Sequence, residues 1–170
     1  MEYRIARDLA EKVVFQLQPY VEKIIIAGSI RRRKPEVKDI DLVLIPKTEP
    51  IKDLFGMVTG HKRMDGFINT IKSWEVLKGS PEEGKYIQCM VQGMKVEIAC
   101  ASPLNYGNLV LIRTGNAEFS KMIMTEVLRR GFSQKDGFLY HKDEVINVPD
   151  EMTYFKTIGV PYVQPENRNL

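Results

Sequence analysis

The sequence predicts an α+β fold, and three features carry that prediction. Two apolar runs, Ile24-Ile25-Ile26-Ala27 and Leu42 to Ile45, flank a polar stretch and each reads as a buried strand. Residues 86–91 and 94–101 alternate apolar and polar side chains across a two-residue turn, Gln92-Gly93, the signature of a β-hairpin. Residues 3–18 and 117–130 instead repeat apolar positions every three or four residues, as amphipathic helices do. At 170 residues the chain has room for one large domain or two small subdomains.

Bulk composition narrows the class. A hydrophobic content of 44% against 28% charged residues is that of a globular chain, not a disordered one. The formal net charge of +3 permits nucleic-acid binding without arguing for it; a local patch has to do that. No apolar run is long enough to span a bilayer, and Met1-Glu2-Tyr3-Arg4 does not begin a signal peptide. Cys89 and Cys100 fall in predicted strands and read as small buried hydrophobes in a reducing compartment. A cytoplasmic protein is the expectation.

In chain order, Ile5, Leu9, Val13 and Leu17, with Ala6, Ala10 and Val14 beside them, form the packing face of the first helix, which Pro19 ends. The first strand stops at Gly28-Ser29, a turn able to offer backbone N–H groups and a hydroxyl to a phosphate. Four cations follow, Arg31 to Lys34, and then Asp39 and Asp41 head the second strand. Residues i and i+2 of a strand share a face, so these carboxylates project side by side and repel unless a cation sits between them. Magnesium, which takes one or two carboxylates plus substrate phosphates, suits such a site.

Beyond Pro46, residues 50–60 read as a short helix around Leu54, Phe55 and Val58, closed by Gly60. His61-Lys62-Arg63 is a second basic cluster, read as a solvated loop ahead of a nucleic-acid contact. Residues 64–84 carry little signal beyond turn-rich ends and Trp74, which reads as a packing residue. In the second hairpin strand Val96, Ile98 and Cys100 face one way, and Lys95, Glu97 and Ala99 the other. Glu97, the one acid there, needs a lysine partner or a metal. Ser102 and Pro103 predict a helix start, with the helix running to Ile112. Arg113-Thr114-Gly115-Asn116 breaks it, and the helix of residues 117–130 follows, with Phe119, Ile123, Val127 and Leu128 inward and Gly131 as its stop. Phe132, residues 137–140 and residues 145–149 form a small antiparallel set, and Asp150-Glu151 caps a helix carrying Tyr154, Phe155 and Ile158.

Gly28-Ser29, the basic loop and Asp39-Ile40-Asp41 resemble the signature of the nucleotidyltransferase superfamily, and more narrowly that of the X family of DNA polymerases, the polymerase beta group. The tail, Gly159-Val160-Pro161-Tyr162 to Pro165-Glu166-Asn167-Arg168, resembles that family's thumb. The resemblance implies a nucleotidyltransferase palm over residues 1–112, with a mixed or antiparallel sheet and helices on one side, and a small α+β thumb over residues 113–170. This reduced palm-plus-thumb form resembles viral members, for which the compartment is the host cytoplasm.

For the site, the resemblance implies Asp39, Asp41 and Glu97 as catalytic residues and ligands of two Mg2+ ions, with Mn2+ as a substitute. Glu97 stands where the family has aspartate, one methylene longer, about 1.5 Å of added reach. Gly28, Ser29, Arg32, Thr114, Gly115 and Asn116 would bind the nucleotide, and Lys95 and Lys121 the DNA. Ile112-Arg113 replaces the family's tyrosine–phenylalanine pair, and Ser120 and Met124 replace an asparagine and an arginine near the base. The implied activity is a DNA polymerase that adds nucleotides to a primer 3′ end in gapped or primed DNA and releases pyrophosphate. The alternatives are a template-independent nucleotidyltransferase and a catalytically silent nucleic-acid-binding module. The implied partners are a nucleoside triphosphate and DNA, with no membrane, and the chain is expected to be a monomer.

Overall fold

Helix α1 (Tyr3–Leu17) buries Ala6, Leu9, Ala10, Val13 and Leu17 along one stripe, whereas Ile5, expected on that stripe, is exposed, and a 3-10 turn containing Pro19 ends the helix. The computed structural model describes residues 1–169; Leu170, the last residue of the expected thumb, lies outside the described residues. After α1 come β1 (Val21–Ile26), the single-turn α2 (Gly28–Arg31), β2 (Asp39–Pro46), β3 (Thr48–Lys52), β4 (Val58–Arg63), α3 (Asp65–Lys72), β5 (Glu75–Lys78), β6 (Tyr86–Val91) and β7 (Met94–Cys100). Then follow α4 (Tyr106–Thr114), α5 (Ala117–Arg129), β8 (Phe132–Lys135), β9 (Phe138–His141), β10 (Glu144–Ile146) and α6 (Glu151–Ile158).

The central sheet has the order β1-β2-β7-β6-β5 and is mixed: β2 and β7 run parallel, and the other pairs are antiparallel. One face, with Ile40, Leu42, Leu44, Val96, Ile98, Ile87 and Cys89, packs on α1 and on Phe67 and Ile71 of α3. Trp74 packs against this core as expected. On the other face Val43, Ile45 and Ala99 meet Tyr106 and Val110 of α4. Polar residues of that same face, at the start of β2 and β7, are left for chemistry. A separate core, with Leu111, Phe119, Ile123, Val127, Leu139, Tyr154, Phe155 and Ile158, joins α4, α5 and α6 to the small β10-β9-β8 sheet.

Three local expectations are corrected. Residues 50–60 form no helix; they are the hairpin β3–β4. The Asp53 carboxylate accepts from the backbone N–H groups of Phe55 and Met57, and this side-chain bonding competes with helix formation. Leu54 and Phe55 stand in solvent at the tip, 101% and 91% exposed, so they are not the core face of anything.

The helix expected from Pro103 starts at Tyr106 instead, because Asn105 Oδ1 accepts from both the N–H and the hydroxyl of Ser102 and closes a turn over residues 102–105. Gly107 then lets α4 lie against the backbone of Asp150, where a Cβ would collide. Leu128 is 63% exposed, since the buried stripe of α5 is Phe119, Ile123 and Val127 alone. No described helix is long and apolar enough to cross a membrane.

Candidate active site

The parallel register of β2 and β7 sets Asp39 opposite Lys95 and Asp41 opposite Glu97. Paired residues of adjacent strands share a face, so the three acids and Lys95 emerge together, opposite the α1 core. Sequence alternation gave each strand its inward set, and the register brings the polar set of one beside the polar set of the other. Gln88 of β6 lies next in the row and donates from Nε2 to Glu97 Oε1 at 3.1 Å.

Cations attend these acids unevenly. The Lys95 ammonium is 2.7 Å from Glu97 Oε1 and 3.5 Å from Asp39 Oδ2. Arg113 Nη1 lies 3.5 Å from Glu97 Oε2, and its guanidinium stacks on the Tyr86 ring at 4.4 Å. Burial pulls the Glu97 carboxyl upward, but Lys95, Tyr86 and Arg113 hold it below its ordinary value. Asp41 has no such attendants in contact. Burial first, then the charges of Asp39 and Glu97, push it up to about 7, with Arg113 and Arg32 opposing.

Gly28 explains why Asp41 is enclosed. Its φ of +58° belongs to the left-handed region, and a Cβ there would strike the Asp41 carboxylate. The Ala27 N–H donates to Asp41 O at 2.8 Å, tying the glycine-serine turn to β2. In that turn the Ser29 hydroxyl is buried without a hydrogen-bond partner. An orphaned buried hydroxyl beside enclosed carboxylates points to a ligand. Arg32 donates from Nη1 to Thr114 O and from Nε to Asn169 Oδ1 at 3.0 Å. Burial lowers its pKa from the ordinary range, and Asp41 offsets part of that.

The other nucleotide-binding expectations meet here too. Thr114 is buried, its Oγ1 accepting from Arg31 at 2.7 Å and its carbonyl from Arg32. Gly115 follows with φ +60°, the Gly115–Asn116 peptide is cis, and Asn116 caps α5 by accepting from Phe119 N–H at 2.9 Å. The two residues expected at DNA differ in setting. Lys121 is solvent-exposed on α5, whereas Lys95 is engaged with the acids.

Among the described residues, no group of three or more His, Cys, Asp or Glu side chains is drawn together as a metal-holding cluster. The donor set nonetheless fits a hard divalent cation. It is all oxygen, it lies on one face, and one member is pushed toward neutrality by burial and by the neighbouring acids, with no cation in contact with it.

Sequence reasoning missed a neighbouring network. Arg31 forks onto Glu151 at 3.1 and 2.8 Å, and Arg168, fully buried, donates to Glu151 Oε1 at 2.6 Å. Arg168 also lies over the rings of Phe119, Phe155 and Tyr162 and donates to Val163 O at 2.9 and 2.7 Å. The signal was present: Glu151, Tyr154, Phe155 and Ile158 fall at i, i+3, i+4 and i+7, so the acid sits on the apolar stripe of α6 and is more than a cap.

Comparison with known proteins locates this architecture. The family described as DNA polymerase beta thumb matches residues 109–169. No curated protein matches the chain in sequence. Among solved structures, Leishmania infantum polymerase beta in a ternary P/T complex superposes with a TM-score of 0.69 at 19% identity, over 100% of this chain and 77% of that one. The α+β architecture of this chain is that of the matched polymerase beta structure, and residues 109–169 match the polymerase beta thumb family.

Proposed function

We propose that the chain is a metal-dependent nucleotidyltransferase that extends a primer 3′ end in gapped or primed DNA and releases pyrophosphate, with a palm over residues 1–112 and a thumb over residues 113–170. The observation that carries the reading is the row of Asp39, Asp41 and Glu97 on one face of two parallel strands, beside the orphaned Ser29 hydroxyl. The ternary P/T complex of the matched Leishmania enzyme supports DNA as a partner.

Phosphoryl transfer asks for position and charge stabilisation rather than covalent chemistry. Asp39, Asp41 and Glu97 would hold Mg2+, or Mn2+ in its place, which when bound supplies Lewis-acid stabilisation of charge on the transferring phosphoryl group. Ser29 donates its free hydroxyl to a non-bridging oxygen of the triphosphate. Arg32 turns its unused N–H groups to the same phosphates. Thr114, Gly115 and Asn116 form the turn against which the sugar rests. Glu97 accepts the proton of the attacking 3′-hydroxyl, and Lys121 meets the DNA. Lys95, whose ammonium pairs with both Asp39 and Glu97, would give up these carboxylates to a metal held there and could then reach the DNA backbone.

The hold of Lys95 and Arg113 on Glu97 favours a second reading, a nucleic-acid-binding module without catalysis. One assay separates these. A gapped duplex is offered each nucleotide singly, with Mg2+ or Mn2+. Template-matched addition that Asp39→Ala abolishes supports the polymerase. Indiscriminate addition points to a template-independent transferase, and binding without addition to the silent module.

A further inference from the structure

The last described residues grip three consecutive arginines of the basic loop. Arg31 is held by Glu151, which Arg168 holds in turn. Arg33 pairs with Glu166 at 3.0 Å. Between them, Arg32 and Asn169 bond reciprocally: Arg32 Nε donates to Asn169 Oδ1 at 3.0 Å, and Asn169 Nδ2 donates to Arg32 O at 3.3 Å. Asn169 is itself steadied by donating to Glu166 O at 3.1 Å. The same segment reaches the turn on the far side of the site, where Asn116 N–H donates to Arg168 O at 3.4 Å.

We propose that Asn169 is a positioning residue that aims the Arg32 guanidinium at the polyphosphate of a nucleoside triphosphate; this rests on the nucleotidyltransferase reading. A guanidinium carries five N–H donors in one plane. Thr114 O takes one from Nη1 and Asn169 takes the one on Nε. One anchor alone would leave the plane free to swing about the bond to its partner; two anchors on different nitrogens fix it. The donors left over belong to Nη2 and to the second Nη1 hydrogen, the edge suited to bidentate recognition of phosphate oxygens. That edge lies where a triphosphate would be wanted. The guanidinium feels the charges of Asp41 and Asp39, shares its turn with the orphaned Ser29 hydroxyl, and lies close enough to Gly115 that a Cβ there would come within 3.3 Å of Nη1. Without the Asn169 acceptor, the Nε–H returns to water and the fork loses its direction.

The test compares the whole wild-type chain with Asn169→Ala and Asn169→Asp. Binding of a non-hydrolysable nucleoside triphosphate with Mg2+, and of the matching monophosphate, is measured by calorimetry. The Arg32 Nε–H signal is followed by NMR, and melting temperature checks the fold. The expected result is that Asn169→Ala weakens triphosphate binding about tenfold, roughly one misdirected charge-assisted hydrogen bond. Monophosphate binding and melting temperature stay at the wild-type level, and the slowly exchanging Nε–H signal is lost. Asn169→Asp, which keeps the acceptor, restores both signal and affinity. If the wild type prefers triphosphate and Asn169→Ala binds it equally well, or if both variants lose affinity only in step with melting temperature, the positioning role is overturned while the nucleotidyltransferase reading stands. If the wild type itself shows no Mg2+-dependent preference for triphosphate over monophosphate, that reading falls and takes the proposal with it.

Discussion

Asp41 and Glu151 are both enclosed acids near the same basic loop, and the fold treats them oppositely. Glu151, 6% exposed, receives two arginines with hydrogen bonds at 2.6 to 3.1 Å. Burial alone would raise its pKa, but Arg168 and Arg31 overcome that and hold it below the ordinary glutamate value. Asp41 receives no bonded cation and is pushed up to about 7. One region is electrostatically complete and joins α2, α4, α6 and the C-terminal segment. The other is left incomplete on the folded protein's own account, at a cost that a bound cation would remove while the carboxylate stays charged. Structural ion networks and ligand sites are told apart by this balance, and a count of charges would not separate them.

The comparison can be broken most severely at Glu151. Glu151→Gln leaves the fully buried Arg168 without its carboxylate, and the expected loss is about 3–5 kcal/mol of stability in denaturant unfolding. An Asp41→Asn chain, by contrast, is expected to gain about 1–3 kcal/mol at neutral pH without divalent ions, because the costly charge is gone. Equal losses in the two variants would erase the distinction.

The pH dependence sharpens it further. Asp41 rises from 3.8 unfolded to about 7 folded, so the folded state binds the extra proton between those values, and this group's contribution falls as pH rises across that window. Glu151 is depressed below its ordinary 4.5, so its contribution is present above that value and is lost as pH falls through the lower folded one. Unfolding free energy measured against pH should show both limbs in the wild type, and Asp41→Asn should lack the decline toward neutrality.

Smaller effects follow. Arg113→Met removes one cation from Glu97, so the Glu97 carboxyl should titrate higher by carbon NMR, with a stability change of about 1 kcal/mol or less, because Lys95 still pairs with Glu97. Leu128→Ser on the open side of α5 should change stability by no more than about 0.5 kcal/mol.

Much of this was legible in the sequence, and what was not has physical reasons. The strand around Asp39-Ile40-Asp41 follows from its continuous apolar run, buried on both faces, and the strand around Glu97 from alternation. The α1 stripe follows from its period. The β3–β4 hairpin did not, since it projects into solvent and has no core face to pattern it, and its turn depends on one aspartate side chain. The start of α4 was misread because a local serine–asparagine turn outweighed the serine-proline signal. The pairing of Arg31 with Glu151, and of Arg32 with Asn169, joins residues more than a hundred positions apart and could not be read from local pattern.

The most direct test of the central claim, that Asp39, Asp41 and Glu97 form an incomplete site for a divalent cation, is the melting temperature of the chain at pH 7.5 with and without Mn2+, for wild type and Asp41→Asn. An ion that binds only the folded state raises the melting temperature. The account predicts a clear rise for the wild type and none for Asp41→Asn. The same rise in both, or no rise in the wild type, would contradict it.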